Sequence, residues 1–210
     1  MLSNIPVVYE DDSLLVVSKP PGLLTLAGPG DDARHLSLIL NEDVVKEAKP
    51  YKLYPCHRLD KETSGLVIFA KSKDVQDKFM DMFRGHSVKK SYTAFAHGRV
   101  KQDEGVIRKP LEGKDAVTYF KTLKRCSDFT VLEVRPETGR TNQIRLHFKS
   151  IGHPLVGESK FIFRKDYKLR AKRLCLHAGR IEFKHPITGK DVVVMCPLAN
   201  DMEKFLLEHR

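Results

Sequence analysis

The residues of this 210-residue chain with most chemical potential are an arginine and an aspartate in the sequence His-Arg-Leu-Asp at residues 57–60. Arg58 and Asp60 belong to a predicted loop that leads into the apolar run at residues 66–70. Charge at the edge of a core is costly to desolvate, so such groups usually have a partner or a task. An ordinary ion pair that closes the loop explains the tetrapeptide as well as a function does.

A second segment with reactive side chains is Gln-Ile-Arg-Leu-His at residues 143–147. It lies in a predicted helix that Thr141 caps and that Gly152 ends. Arg145 follows a position that the helical pattern predicts to be buried. The pattern alone therefore favours a surface arginine on an amphipathic helix.

Tyr92 lies in a predicted strand at residues 89–96, between two lysines and an alanine. A tyrosine in such a strand is usually half-buried, with its hydroxyl group in water. Each of these side chains is weak support for a function when taken alone. Asp60, Tyr92 and Arg145 become a candidate site only if they meet in space.

Other familiar sites are missing from the sequence. None of the nine histidines has the H-x-x-x-H spacing of a zinc protease, so we expect no metal. No glycine-rich phosphate loop follows a strand, so we expect no nucleotide cofactor. Ser64 lacks the first glycine of a nucleophile elbow and is interpreted as a turn or cap residue.

The composition indicates a polyanionic partner. The chain carries 37 lysines and arginines against 27 acidic residues, a formal net charge of +10. Such an excess of positive charge is typical of proteins that bind nucleic acid, although it does not distinguish RNA from DNA. The length fits one large domain or two small lobes that share a core.

The cysteines and the chain start bear on the compartment. Cys56, Cys126, Cys175 and Cys196 are scattered, which is typical of reduced thiols rather than of disulfides or a zinc site. The first residues lack the basic and apolar regions of a signal peptide, and no apolar run is long enough to cross a membrane. We therefore expect a soluble, cytoplasmic protein that does not contact membranes.

Hydrophobic periodicity predicts more strands than helices. The predicted strands are residues 7–9, 14–19, 66–70, 89–96, 117–123, 129–134, 181–183 and 192–195, and the other predicted helices are residues 36–45, 73–83 and 202–207. Many of these strands are joined by turns. The pattern predicts an α+β fold with a mixed, mainly antiparallel sheet and a few covering helices.

Together, the segments resemble the RluA-type family of pseudouridine synthases. The blocks that carry the resemblance are residues 16–23, 57–60 with 63–66, 90–94, 139–141, 143–147, 152–157, 176–178, 185–186 and 188–189. They follow the order of the family over residues 16 to 190, and a chance match of that length is negligible.

The resemblance implies a reaction on RNA. The glycosidic bond of a uridine in structured ribosomal or transfer RNA is broken, the uracil turns, and it rejoins the ribose through C5, without a cofactor or a metal. It also implies two lobes with flanking helices and a central basic cleft. Residues 1–210 would form a single catalytic domain without an S4 domain, acting as a monomer. A base inside a helix must first be flipped out.

The resemblance also assigns roles to residues. Asp60 would be the essential carboxylate, whether it attacks the ribose or the base or abstracts a proton. Arg145 would pair with Asp60 and keep it ionised, and Tyr92 would stack on the uracil and help to remove the proton from C5. Arg58 would fill the space left by the flipped nucleotide, and Leu146 would form a wall of the pocket.

Some features depart from the family or leave alternatives open. Asn142 stands where the family usually has histidine, and the region 105–118 is shorter than usual. Residues 24–34 and 161–173 are the candidate loops for RNA specificity. A catalytically silent RNA-binding module or RNA chaperone, and a hydrolytic glycosylase in which Asp60 activates water, are the alternative functions.

Overall fold

A computed structural model of the protein describes residues 4–28, 33–162 and 167–209, which form two compact units. The first comprises Met1–Val88 and Arg180–Cys196, and the second comprises Lys89–Gly179 and Pro197–Arg210. Strand β9 (Leu176–Lys184) begins in the second unit and ends in the first. Predicted features at residues 29–32 and 163–166 lie outside the described residues. No helix in the described part is long and apolar enough to cross a membrane.

The first unit is a sheet with two helices. Its other elements are β1 (Val7–Glu10), β2 (Leu14–Lys19), α1 (Leu36–Lys46), β3 (Tyr54–Pro55), β4 (Ser64–Ala70), α2 (Lys73–Arg84) and β10 (Asp191–Met195). The strand order is β1-β2-β4-β9, with β3 paired to β4 and β10 paired to β9. Every residue of β4 is buried, which explains its continuous apolar sequence. Helix α2 places Val75 and Phe79 in the core against this strand.

A hydrogen-bonded cluster ties the first hairpin of this unit to the β9–β10 turn. The hydroxyl of Tyr9 donates to the Asp11 carboxylate, and His185 Nε2 lies 3.1 Å from the same carboxylate oxygen. His185 Nδ1 accepts two backbone N–H groups, so Nε2 carries the proton that is donated to Asp11. The hydrogen bond to Asp11, with burial, raises the pKa of Tyr9 to about 12. The turn is therefore fixed by a polar cluster with defined protons.

The second unit combines a meandering sheet with two helices. Its other elements are β5 (Lys89–His97), β6 (Glu104–Arg108), β7 (Val117–Arg125), β8 (Phe129–Pro136), α3 (Gln143–Ser150) and α4 (Asn200–Glu208). The strand order is β9-β5-β8-β7-β6, and the β5/β8, β8/β7 and β7/β6 pairs are antiparallel. Phe95, Phe129 and Phe205 pack their rings together in its core.

The predicted α+β class with a mainly antiparallel sheet is confirmed, with two exceptions in its details. Strands β3 and β6 were not predicted, because β3 has two residues and β6, with the sequence Glu-Gly-Val-Ile-Arg, has two adjacent apolar side chains and no alternation. The prediction that Thr141 caps α3 is wrong. Asn142 is the N-cap, with a left-handed φ of 53° and no capping hydrogen bond from its side chain. Asparagine adopts this conformation more readily than most residues.

Helix α1 ends in a turn that favours glycine but has alanine. The N–H of Ala48 donates to the Val45 carbonyl and that of Lys49 to the Val44 carbonyl, each at 3.1 Å. These two bonds form a Schellman motif, in which the residue at the Ala48 position adopts left-handed φ. Ala48 has a φ of 51° and is exposed, so its Cβ is strained without contributing to packing.

Replacing Ala48 with glycine should therefore stabilise the protein. Removal of the Cβ relieves about 1–2 kcal/mol of strain, and part of this gain is offset by the larger entropy of the unfolded chain. We expect the free energy of unfolding to rise by about 0.5–1 kcal/mol in urea denaturation followed by circular dichroism. Ala48→Ser keeps the Cβ and serves as the control, with a change near zero. Equal stability of Ala48→Gly and the wild type would contradict the strain at this position.

Candidate active site

A buried threonine supports the loop that carries Arg58 and Asp60 through two hydrogen bonds. The hydroxyl of Thr25 accepts the N–H of Leu59 at 3.1 Å and donates to the Leu59 carbonyl at 3.0 Å. Both Thr25 and Leu59 are buried. Leu59 lies between the two charged residues, so this pair of hydrogen bonds fixes the backbone from which both side chains project.

A buried lysine gives the same loop a second support. Lys19 has no exposed surface, and its ammonium group donates to the carbonyls of Pro20, Leu23 and Lys61 at 3.0, 2.7 and 3.2 Å. The N–H of Gly22 also donates to the Lys61 carbonyl, at 2.8 Å. A buried ammonium needs acceptors for its protons, and the carbonyls supply them. The segment from Lys19 to Thr25 therefore acts as a scaffold for the loop.

Within this loop, the two predicted site residues differ in exposure. Asp60 is half-buried, and its backbone carbonyl accepts the N–H of Thr63 at 3.1 Å. Arg58 is exposed. His57 faces inward and accepts the N–H of Ile68 on Nε2 at 3.1 Å. The arrangement leaves Arg58 accessible to a ligand while the loop backbone stays fixed.

Helix α3 is positioned by a network that begins at Gln143. Its amide group donates to the Val117 carbonyl at 2.9 Å and to the Thr118 hydroxyl at 3.0 Å, and its amide oxygen accepts from the Thr138 hydroxyl. One turn later on the same face, His147 contacts the Thr118 hydroxyl at 2.8 Å. These bonds attach the polar face of α3 to strand β7 and to Thr138, which follows β8.

The state of His147 follows from its surroundings. The side chain is fully buried, and burial lowers the pKa of its imidazole. Nε2 lies 3.0 Å from the Lys109 carbonyl, which can only accept, so Nε2 carries the proton. Nδ1 then accepts the proton of the Thr118 hydroxyl. His147 is therefore neutral, with both nitrogens engaged in holding the helix.

Arg145 lies on another face of α3 and is buried, with 3% of its surface exposed. Its Nε and Nη2 each donate to one oxygen of Glu158 at 2.7 Å, and its Nη1 donates to Asn142 Oδ1 at 3.0 Å. The guanidinium carbon lies 5.0 Å from the centre of the Phe161 ring. The surface position favoured by the helical pattern is thus wrong for Arg145. We call Arg145, Glu158 and Asn142 the arginine clamp.

Glu158 is held by more than its partner. One carboxylate oxygen also accepts the N–H groups of Ser159, Lys160 and Phe161. Burial alone would raise the pKa of Glu158, but the hydrogen bonds and positive charge of Arg145, with the backbone donors, outweigh it and lower the pKa. Glu158 is therefore ionised at neutral pH.

The N–H donors of Arg145 determine which groups the arginine clamp can bind. A guanidinium has five N–H donors, and the clamp uses three of them. The planar geometry of a guanidinium suits the two oxygens of a carboxylate.

The other predicted residues lie on two elements of the second unit. Tyr92 is buried on β5, opposite Val134, and Leu146 is half-buried on α3 beside Arg145. Arg58 and Asp60 belong to the first unit. The meeting of Asp60 with Tyr92 and Arg145 stays a prediction.

Glu158 and Thr25 are site residues that the sequence analysis did not find. One signal in the sequence could have indicated Glu158, because this glutamate directly follows the apolar segment at residues 154–157. Thr25 has no such signal, because its hydroxyl bonds to backbone atoms of a distant residue.

The described residues contain no group of three or more His, Cys, Asp or Glu side chains that could hold a metal ion. All four cysteines are free thiols, and Cys56, Cys126 and Cys175 are buried.

Comparison with known proteins places these residues in a family. Residues 13–150 match the sequence model of the family described as RNA pseudouridylate synthase. The chain is 36% identical to the dual-specificity RNA pseudouridine synthase RluA of Haemophilus influenzae, over 89% of this chain and 90% of that protein. It is 35% identical to the uncharacterized RNA pseudouridine synthase YlyB of Bacillus subtilis, over 97% of this chain and 72% of that protein.

Solved structures share the fold at lower identity. Human RNA Pseudouridylate Synthase Domain Containing 4 matches with a TM-score of 0.79 and 22% identity, over 96% of this chain and 92% of that chain. Human RNA Pseudouridylate Synthase Domain Containing 1 matches with a TM-score of 0.72 and 22% identity, over 99% and 95%. These structures confirm the predicted fold class.

Glu158→Gln should destabilise the protein in a pH-dependent way. The substitution leaves the charge of Arg145 buried without its carboxylate, at a cost of about 3 kcal/mol in the free energy of unfolding. The native pKa of Glu158 lies below its ordinary value of 4.5, so its contribution is present above that pH and disappears as pH falls through the native pKa. Urea denaturation from pH 3 to pH 8 measures this difference.

Glu133→Gln is the matched control, because Glu133 pairs with Arg135 at the surface, where ion pairs contribute about 0–1 kcal/mol. A loss for Glu158→Gln that is no larger than the control, or that grows below pH 4, would contradict the clamp as an ionised buried pair.

Proposed function

This chain belongs to the RNA pseudouridylate synthase family, and we propose that it isomerises specific uridines to pseudouridine in structured ribosomal or transfer RNA. Two relatives that support an RNA substrate are the RluA proteins of Haemophilus influenzae and Pasteurella multocida, which are named dual-specificity RNA pseudouridine synthases and are each 36% identical to this chain. The net charge of +10 suits an RNA substrate. The observation that carries the mechanism is the buried, oriented guanidinium of Arg145.

The central interaction in the proposed mechanism is an ion pair between Asp60 and Arg145. The terminal N–H groups of Arg145 would bind the Asp60 carboxylate. A positive charge within hydrogen-bonding distance lowers the pKa of a carboxyl group and keeps it ionised at neutral pH. Because Glu158 already fixes the plane of the guanidinium, Asp60 would be oriented without further ordering of Arg145.

The reaction exchanges one bond to the ribose for another. The bond between uracil N1 and ribose C1′ breaks, the base turns, and a bond forms between C5 and C1′. The hydrogen at C5 leaves as a proton, and N1 gains one, so no oxidant, reductant or cofactor is needed. Asp60 would either form a covalent intermediate or abstract a proton next to the anomeric carbon.

The remaining predicted residues would hold the flipped nucleotide. Tyr92 would stack on the uracil and help to remove the C5 proton, and Leu146 would form the pocket wall beside Arg145. Arg58 is exposed, as a side chain must be if it enters the RNA stack. Stacking of its guanidinium would offset part of the few kcal/mol that base flipping costs.

The proposal extends to the organisation of the protein. Residues 1–210 would act as one catalytic domain and as a monomer, in the cytoplasm where unmodified RNA is available.

Asp60→Ala should abolish pseudouridine formation and leave RNA affinity within about 1 kcal/mol of the wild type. Without the carboxylate, no group starts the cleavage of the glycosidic bond. Release of tritium from RNA that carries [5-³H]uridine measures the reaction, and filter binding measures affinity. Asp12→Ala is the control, because Asp12 is an exposed aspartate of the same unit.

Product analysis in this experiment separates the alternatives. Free uracil and abasic ribose from the wild type would indicate a hydrolytic glycosylase. Binding of RNA by the wild type without any product would indicate a silent binding module or chaperone. Retained activity of Asp60→Ala would contradict its assigned role.

Arg145→Lys should lower turnover by about tenfold or more, with little change in KM for RNA. Lysine keeps the charge, but it cannot donate side-on to Glu158 and also orient a second carboxylate. Arg135→Lys is the control, because Arg135 is an exposed arginine on β8. Unchanged single-turnover rates for Arg145→Lys would show that the planar geometry of Arg145 does not matter.

A further inference from the structure

Residues 167–173 present positive charge on an anchored segment. Their exposure alternates: Lys168, Arg170 and Lys172 are exposed, and the residues between them are partly buried. Leu169 and Ala171 pack against the hydrophobic core of the second unit. The apolar residues therefore attach the segment to the core and leave its cations outside.

Both ends of the segment are attached to the same unit. At one end, the ring of Tyr167 stacks on His97 at 4.4 Å. At the other end, Arg173 donates to both oxygens of Asp201 at 2.7 and 2.6 Å. Gly157 passes so close that an added Cβ would lie 1.8 Å from the Arg173 carbonyl oxygen. These contacts hold the segment before any ligand binds.

The three cations differ from two lysines of the first unit, which have acidic partners. Lys71 pairs with Glu10 at 2.7 Å, and Lys73 pairs with Asp77 at 2.9 Å. Within residues 4–28, 33–162 and 167–209, no ion pair involves Lys168, Arg170 or Lys172. Residues 167–173 also contain no acidic side chain. Their charge is therefore available to an anionic ligand.

A cavity connects this segment with the arginine clamp. It has a volume of about 350 Å³, and its lining includes Tyr167 and Arg170 of the segment, Glu158 of the clamp, and His97 and Gly157. Glu158 is the residue that orients Arg145. Anions bound along residues 167–173 would thus lie beside the arginine clamp.

We propose that Lys168, Arg170 and Lys172 form a phosphate track that binds the backbone of the RNA substrate beside the arginine clamp. The identity of the polyanion rests on the proposed function. Phosphate contacts of this kind set the register of a nucleic acid without reading its bases. Because the segment is anchored at both ends and along its length, binding loses less conformational entropy than a mobile basic tail would lose.

The test is the triple variant Lys168→Gln, Arg170→Gln, Lys172→Gln, with a fluorescein-labelled RNA stem-loop as the probe. Fluorescence anisotropy gives the affinity between 50 and 300 mM KCl. Three lost phosphate contacts should weaken binding at 100 mM KCl by about tenfold or more. The slope of log affinity against log salt should become shallower by about 2.

The matched control is Lys101→Gln, Lys124→Gln, Lys190→Gln, which removes the same charge from exposed positions elsewhere. Its salt slope should equal that of the wild type. Equal slopes for the two variants, or wild-type affinity of the first, would overturn the phosphate track. Failure of the proposed function gives a different result, because the wild type would then bind RNA in this assay without forming pseudouridine.

Discussion

The ion pair between Arg145 and Glu158 is the interaction on which the candidate site depends. Both side chains are buried, and two charges in a protein interior are stable only when each satisfies the other and their remaining hydrogen-bonding groups are occupied. Three backbone N–H groups and Asn142 complete this requirement. Burial of such a pair contributes little to stability compared with an apolar core, but it fixes the plane of a guanidinium. Orientation of charge is what a polar reaction needs.

The first unit also contains a buried cation, whose partners are backbone carbonyls instead of a carboxylate. Lys19 is also buried, and its ammonium group donates hydrogen bonds to three backbone carbonyls. One of these carbonyls, that of Lys61, belongs to the loop that carries Asp60. Thr25 supports the same loop through both backbone groups of Leu59. A buried cation in each unit therefore organises a chemically important segment. In the first unit the cation acts as scaffold, and in the second it is the group that we propose to hold Asp60 ionised.

Helix α3 shows how a short element can be fixed well enough to carry such a group. Each of its faces has a separate attachment: Gln143 and His147 bond to strands, Ile144 and Phe148 enter the core, and Arg145 binds Glu158. An eight-residue helix has little stability of its own, so these tertiary contacts hold it. The polar side chains at positions 143–147 are thus explained by their role in holding the helix in place as much as by a role in a reaction.

The sequence by itself determined the fold class, most strands and helices, and the family, because hydrophobic periodicity and ordered motifs are local properties of the chain. It indicated Arg58, Asp60, Tyr92, Arg145 and Leu146 through a resemblance. Only the tertiary structure decided that Arg145 is buried, that Glu158 is its partner, and that Thr25 and Lys19 support the loop. Each of these facts is a contact between residues distant along the chain. A helical pattern records which face is apolar, but it does not record which distant carboxylate meets a charge on another face.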